Sequence, residues 1–139
     1  VIRCNNVYGP NQYPEKLISK FKRLLRDGKK CTIHGSRSAT VKRAFMHVED
    51  VVNAVEIVWK NGTPGDVYNI ASDDELTVME VTRLIIETIR NTQEYDQWIE
   101  YVEDRPFNDQ RYYICANKLK SLGWKQQKTR EDLVNFLKE

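Results

Sequence analysis

A β-branched segment followed by a chain-breaking dipeptide opens the sequence and constrains the fold more than any other feature. Residues 1–7 favour a buried strand, and Gly9-Pro10 should end it in a turn. Two amides, Asn5 and Asn6, stand where this strand is expected to give way to the loop. Because ligands of open α/β sheets bind beyond the carboxyl ends of strands, the amides are candidate ligand contacts. The alternative is that both only satisfy turn backbone.

Apolar residues at helical spacing alternate with short strand-like runs in the rest of the chain, which predicts a mixed α/β fold. A first helix should start near Pro14 and carry Leu17, Phe21 and Leu24 on one face. The strongest helix signal is the capping box of Thr77-Val78-Met79-Glu80. Thr129 predicts the N-cap of a last helix, and residues 73–75 predict a turn before the capping box.

A further helix is predicted from Asp50, which is a favourable N-cap residue. Its buried face should hold the apolar residues that follow at helical spacing: Val51, Ala54, Val55, Val58 and Trp59.

The remaining strand signals are too short to form a self-sufficient sheet. They lie at residues 31–34, 44–48, 67–70 and 98–102. Some of these strands should complete a sheet whose other members lie upstream. Since the first residue is an apolar strand residue and not Met, we expect the sequence to be a piece of a longer chain.

Composition excludes several classes of function. The 139 residues suit one domain, and a net charge of +2 gives no overall basic field for nucleic acid. No apolar run is long enough to span a membrane. Cys4, Cys31 and Cys115 are far apart and show neither zinc-ligand spacing nor a disulfide framework. A reducing, cytoplasmic compartment is the simplest interpretation.

Four positions offer groups that suit an anionic, hydroxyl-rich ligand. They are the Asn5-Asn6 pair, Lys16, Arg43 and residues 104–111. An arginine presents a planar fork that matches phosphate, and amides bond to hydroxyls. The alternative is that these side chains are solvated surface groups.

The residues themselves reveal no convincing catalytic group. His34 and His47 are the only histidines, and both lie in strand-like runs that favour packing. The chain has no G-x-S-x-G and no G-x-G-x-x-G, so it does not hold a dinucleotide pyrophosphate in the usual way.

Five motifs in order are more specific than any one of them. They are Arg3-Cys4-Asn5-Asn6-Val7-Tyr8-Gly9-Pro10, Pro14-Glu15-Lys16-Leu17-Ile18, Val48-Glu49-Asp50-Val51, Val67-Tyr68-Asn69-Ile70 and Asp104-Arg105-Pro106-Phe107-Asn108-Asp109-Gln110-Arg111-Tyr112. Together they resemble the C-terminal part of nucleotide-sugar 4,6-dehydratases, which are extended short-chain dehydrogenase/reductase proteins.

This resemblance implies a small mixed α/β substrate-binding lobe plus the end of a Rossmann-type sheet, with residues 1–9 as the strand and turn of that sheet. It implies conversion of an NDP-glucose to the 4-keto-6-deoxy sugar. NAD would be bound mainly by an N-terminal lobe absent from this sequence. The full-length protein would be a homodimer, and a nucleotide-diphosphate glucose would be its partner.

The resemblance also assigns residues. It implies no catalytic residue in this chain, and a contact near the nicotinamide from Asn6. The implied substrate contacts are Asn5, Lys16, Leu17, Thr32, Ile33, His34, Arg43, Asn69, Asp104, Arg105, Pro106, Phe107 and Asn108.

Departures from the family pattern leave the nucleotide open. Phe107-Asn108 stands where bacterial dTDP-glucose enzymes have a Gly-His pair. In this respect the sequence is closer to the plant UDP-glucose enzymes. The loop before Arg43 is also longer than the bacterial one. The alternatives are the lobe of a related epimerase or decarboxylase, a stand-alone nucleotide-sugar-binding module, or a structural dimerisation piece.

Overall fold

Strands and helices alternate along the chain in a computed structural model that describes residues 1–35, 39–103, 111 and 113–139. The strands are β1 (Ile2–Cys4), β2 (Asn6–Tyr8), β3 (Cys31–His34), β4 (Lys42–His47), β5 (Tyr68–Ile70), β6 (Glu75–Thr77) and β7 (Ile99–Val102). The helices are α1 (Leu17–Arg26), α2 (Val48–Asn61), α3 (Val78–Arg90), α4 (Asn117–Lys120) and α5 (Arg130–Lys138). A 3-10 turn at Asp96–Trp98 precedes β7. The predicted α/β class is confirmed.

The opening segment forms two strands, so the expectation of one strand over residues 1–7 is wrong. β1 pairs in parallel with β5, whereas β2 pairs in parallel with β4. The change of partner falls at Asn5, whose backbone N–H still donates to the Ile70 carbonyl at 3.3 Å. The next residue, Asn6, is already opposite Phe45. Asn6 therefore lies in a strand and not in the loop.

The other strands form two small sheets. β6 is antiparallel to β4, with Arg43 opposite Leu76, and β3 runs parallel to β7. Glu75 was expected in a turn but lies opposite Ala44 in this ladder. The edge of β4 supplies the hydrogen-bonding partners that turn residues would otherwise lack.

Glycine is required at position 9. Gly9 has a φ of +144°, and a Cβ atom built there would lie 2.6 Å from the Val48 Cγ1 atom. The turn after β2 therefore passes directly over the start of α2, a contact that a larger residue would push apart.

Helix α2 differs from its prediction at both its cap and its face. The N-cap is His47, whose Nδ1 accepts a hydrogen bond from the Glu49 N–H at 3.2 Å, and Asp50 lies in the first turn. Ala54 is buried as expected, but Val55 is 39% exposed and Trp59 is 87% exposed. The buried stripe is narrower than predicted because α2 packs on β2, β4 and β5 from one side only.

Two hydrophobic clusters form the interior. The larger lies among α1, α3, α5 and the strands, and the smaller joins α2 and β5 to α4. Leu76 and Val81 both belong to the larger cluster, beside the capping box of Thr77 and Glu80, which is confirmed. Thr129 caps α5 as predicted, with Asp132 as its reciprocal partner.

A buried carboxylate ties the segment before α5 to the start of α2. Asp50 is only 2% exposed. Its two carboxylate oxygens accept hydrogen bonds from the backbone N–H groups of Gln127 and Lys128, each at 2.9 Å. Its backbone carbonyl accepts from the Trp124 indole N–H at 3.2 Å. One residue thus fixes a segment that is more than seventy positions away in sequence.

We expect Asp50→Ala to lower the free energy of unfolding by about 2–4 kcal/mol, because two backbone N–H groups would lose their acceptors. Urea unfolding followed by circular dichroism measures this. Asp73→Ala is the matched control, since the Asp73 side chain is 79% exposed in its pair with Lys120 and should contribute less than about 1 kcal/mol. Equal losses in the two variants would refute the assigned role of Asp50.

Thiol labelling should separate the three cysteines. Cys4 and Cys115 are exposed, whereas Cys31 is buried, and burial raises the pKa of its thiol to about 12. The thiolate is the reactive form, so at pH 8 iodoacetamide should modify Cys4 and Cys115 and leave Cys31 intact. Mass spectrometry of the digested protein checks this, and labelling of Cys31 at a similar rate would contradict the described core.

Candidate functional site

A cavity of about 510 Å³ lies where β1 and β2 meet the start of α1. It is lined by Cys4, Asn5, Asn6, Val7, Gln12, Tyr13, Lys16, Leu17, Ile18 and Phe45. The cavity therefore brings together four of the residues predicted from the sequence: Asn5, Asn6, Lys16 and Leu17. Its size is that of a small-molecule site with apolar walls and a few polar groups.

Asn5 is the most constrained polar group of this cavity. The residue is only 7% exposed, and its side-chain oxygen is buried without a hydrogen-bond partner among the described residues. Leaving a buried acceptor unpaired costs about 1–3 kcal/mol. Because Asn5 also lines the cavity, its side-chain amide is the candidate contact for a polar group of a ligand.

Gln12 is another polar residue of the cavity lining. Its backbone N–H closes the turn onto the Gly9 carbonyl at 3.2 Å, and its side-chain amide donates to the Val7 carbonyl. The Ser19 hydroxyl donates to the Gln12 side-chain oxygen at 2.6 Å. These bonds fix α1 against β2 and place Lys16 at the cavity. Sequence reasoning missed Gln12, although its position just after Gly9-Pro10 is a signal that the chain folds back.

Strand β4 supplies another wall. Phe45 lines the cavity and lies opposite Asn6 in the parallel ladder. Sequence reasoning missed Phe45 as well. Arg43 lies two residues earlier, so it shares the face of β4 that carries Phe45. Arg43 is half-buried, and one of its guanidinium nitrogens donates to the Lys42 carbonyl at 3.0 Å.

Arg111 lies beside this part of β4. It forms an isolated parallel bridge with Lys42, and its guanidinium bonds both oxygens of the Glu75 carboxylate, the shortest contact being 2.6 Å. This hydrogen-bonded pair holds the pKa of the Glu75 carboxyl below its usual range. Arg111 itself is therefore anchored beside Lys42, the residue that precedes Arg43 on β4.

The predicted contacts on β3 face two ways. Ile33 is 1% exposed and packs in the larger hydrophobic cluster. Thr32 and His34 point to the other side and are half-buried. The Thr32 hydroxyl lies 3.5 Å from the Lys20 ammonium, and His34 Nδ1 lies 3.2 Å from the Glu103 carbonyl oxygen. None of the three lines the cavity described above.

Asn69 is placed on β5 opposite Arg3, and its side-chain amide donates to the Cys115 carbonyl at 3.2 Å. It does not line the cavity of Asn5. The remaining predicted contacts, Asp104, Arg105, Pro106, Phe107 and Asn108, lie outside the described residues.

Residues 1–71 match the model of the NAD dependent epimerase/dehydratase family. The match includes Asn5, Asn6, Lys16 and every other residue that lines the cavity. The chain belongs to the NAD dependent epimerase/dehydratase family. The resemblance to nucleotide-sugar 4,6-dehydratases is confirmed by the similar proteins described next.

Within this family the chain is similar to named dehydratases. It is 44% identical over 128 residues to dTDP-D-glucose 4,6-dehydratase of Homo sapiens, covering 90% of this chain and 36% of that protein. It is 48% identical over 122 residues to a trifunctional UDP-glucose 4,6-dehydratase/UDP-4-keto-6-deoxy-D-glucose 3,5-epimerase/UDP-4-keto-L-rhamnose-reductase of Arabidopsis thaliana, covering 88% of this chain and 18% of that protein.

A solved structure agrees with the fold. The crystal structure of dTDP-glucose 4,6-dehydratase from Bacillus anthracis in complex with NAD matches with a TM-score of 0.86 and 38% identity, covering 98% of this chain and 42% of that chain. The chain therefore spans less than half the length of these relatives.

Replacing Asn5 by Leu, of similar volume, should leave the free energy of unfolding unchanged or raise it by about 1 kcal/mol, because a buried unpaired acceptor is removed. Asn69→Leu is the matched control. It removes the bond to the Cys115 carbonyl and should cost about 1 kcal/mol. Urea unfolding of both variants makes the comparison. A loss larger in Asn5→Leu than in Asn69→Leu would show that Asn5 is held by the fold and not kept for a ligand.

Proposed function

We propose that this chain is the nucleotide-sugar-binding part of an NAD-dependent NDP-glucose 4,6-dehydratase. The observation that carries the proposal is one cavity lined both by Lys16 and by Asn5, whose buried side-chain oxygen has no hydrogen-bond partner among the described residues. The proposal is supported by 44% identity to dTDP-D-glucose 4,6-dehydratase of Homo sapiens. Residues 1–139 would form the lobe, with β1, β2 and the turn that follows them contributing to a Rossmann sheet.

Different residues of the cavity would contact different parts of a nucleotide-diphosphate sugar. The amide of Asn5 would bond to a sugar hydroxyl, because an amide both donates and accepts. The Lys16 ammonium would face a phosphate, and Leu17 and Phe45 would form apolar walls. Arg43, two residues from Phe45 on the same face of β4, would add a forked contact to the diphosphate. A sugar held at several points loses its freedom of orientation, which lowers the barrier to reaction.

NAD fits this chain at one edge only. The sequence has no G-x-G-x-x-G to cradle its pyrophosphate, while Asn6 is exposed and lines the cavity. Asn6 would therefore contact the nicotinamide end, and the main NAD site would lie in another part of the full-length protein. When bound, NAD supplies the acceptor and donor of a hydride. This chain would hold the sugar against it and keep water out.

Two further properties of the full-length protein belong to the proposal. We propose a homodimer, which sedimentation equilibrium tests. We also propose a reducing, cytoplasmic location, supported by the exposed and unpaired thiols of Cys4 and Cys115.

Sugar epimerisation is the second candidate, because the matching family model includes NAD-dependent epimerases as well as dehydratases. The two functions differ in their products. A 4-epimerase inverts one hydroxyl of the sugar and eliminates nothing, whereas the dehydratase eliminates water from the sugar.

The full-length protein that carries this chain should convert UDP-glucose or dTDP-glucose to the 4-keto-6-deoxy product. Proton NMR detects the new C6 methyl group, and running both nucleotides in parallel reveals the base preference. Formation of the C4 epimer without a methyl signal would instead support epimerisation. Absence of turnover and of binding with both sugars would refute the proposal.

We expect Arg43→Ala to weaken binding of the preferred nucleotide sugar by about 2–4 kcal/mol, since a partly buried charge-assisted contact would be lost. Calorimetry of the full-length protein measures the affinity. Arg83→Ala is the control, because Arg83 is exposed on α3 with its guanidinium 5.1 Å from the Tyr95 ring. Unchanged affinity in Arg43→Ala would remove Arg43 from the site.

A further inference from the structure

Positive charge is concentrated on the segment that borders the cavity. Residues 16–30 contain seven cationic side chains and a single acidic one, Asp27, so the segment carries a net charge of +6 while the whole chain carries +2. The rest of the chain is therefore net negative. The seven cationic residues are Lys16, Lys20, Lys22, Arg23, Arg26, Lys29 and Lys30.

These cations are not neutralised within the part of the chain that the structure describes. None of the seven forms a salt bridge there. Cations elsewhere do, for example Lys60 with Glu56 at 2.5 Å and Lys118 with Asp66 at 2.9 Å. The charge of the segment therefore projects a field into solvent instead of being cancelled locally.

Some of the cations have a structural role. Lys22 donates to the Phe136 carbonyl at 2.6 Å, and Arg26 donates to the Leu137 carbonyl at 3.2 Å, so both stabilise the C-terminal end of α5. Arg23, Lys29 and Lys30 are exposed and make no side-chain hydrogen bond to a described residue. Arg23 lies in the last turn of α1, where a cation favours the helix C-terminus, so Lys29 and Lys30 are the two that no local contact explains.

The position of α1 relative to the cavity decides whether these charges can act on a ligand. Lys16 lines the cavity, and Lys20 follows four residues later on the same face, whereas Arg23 lines a second cavity of about 420 Å³. A helix of 10 residues is about 15 Å long. The screening length is about 10 Å at 0.1 M salt and about 30 Å at 0.01 M. The field of the whole segment therefore reaches the cavity at low ionic strength.

We propose that the basic surface formed by Lys16, Lys20, Arg23, Lys29 and Lys30 steers anionic nucleotide-diphosphate sugars into the cavity. The inference rests on the proposed function and adds to it a role for Lys20, Arg23, Lys29 and Lys30, which do not line the cavity. A uniform field of one sign beside a cleft raises the association rate constant of an oppositely charged ligand, and salt weakens the effect. The diphosphate is the recognised group, and the sugar and base contribute nothing to this step.

The test is the association rate constant of UDP-glucose and of dTDP-glucose with the full-length protein, measured by stopped-flow protein fluorescence. The variant R23Q/K29Q/K30Q removes three exposed cations that contact no part of the cavity. The control K60Q/K118Q/K125Q removes the same net charge from exposed positions elsewhere in the chain. Uridine, which lacks the diphosphate, serves as the neutral probe.

At 10 mM ionic strength we expect the association rate constant of R23Q/K29Q/K30Q to fall about fivefold. The difference from the parent should vanish at 0.5 M salt, and the dissociation rate constant should stay within about twofold, because no contact in the complex is lost. Uridine binding should be insensitive to the substitutions.

Three results would overturn the inference. An unchanged association rate constant at low salt would refute steering and leave the proposed function intact. An equal fall in K60Q/K118Q/K125Q would assign the effect to overall charge and not to this surface. Failure of the parent to bind either nucleotide sugar would refute the proposed function and the steering together.

Discussion

The change of strand partner at Asn5 is the constraint on which the cavity depends. β1 runs beside β5, and one residue later β2 runs beside β4. A chain that changes sheets within a single peptide leaves a gap between the two ladders, and the side chain at the junction faces that gap. Asn5 therefore becomes both buried and unpartnered. A ligand cavity arises here because the backbone of β1 and of β2 is hydrogen-bonded to neighbouring strands, while the Asn5 side-chain oxygen has no partner among the described residues.

The junction keeps its geometry because α2 and the C-terminal segment hold β4 in place. Gly9 lets the turn after β2 pass within contact distance of Val48, so β2 cannot slide along β4. Asp50, in the first turn of the same helix, binds the backbone of Gln127 and Lys128. Residues far apart in sequence thus converge on the corner between β4 and α2. Preorganisation of this kind reduces the entropic cost of binding a ligand, because the protein groups are already ordered.

Much of this arrangement was predictable from local patterns, and the failures have physical causes. The capping boxes at Thr77 and Thr129 depend on residues three positions apart, so the sequence reveals them directly. The junction at Asn5 depends on which distant strands lie alongside, and no local pattern encodes that. Trp59 was placed in the core by its spacing, but only neighbouring elements decide which stripe of a helix is covered. Lys16 was found from its charge as well as from the family motif, and Leu17 from the motif alone. Gln12 and Phe45 were missed because their roles arise from the turn and the ladder.

The distribution of polar groups indicates what this half of the site can contribute to a reaction. In the described part of the chain the cavity lining offers three side-chain amides, the Lys16 ammonium, the Tyr13 hydroxyl and the Cys4 thiol, and it has no carboxylate or imidazole. Unneutralised cations on α1 and an unpaired buried amide both cost stability in the empty protein, and both costs fall when an anionic, hydroxyl-bearing ligand arrives. A surface built in this way favours capture and orientation over bond breaking. Under the proposed function, any carboxylate or imidazole that acts on the sugar would come from outside these cavity walls, and the precision of the hold would decide how well that group acts.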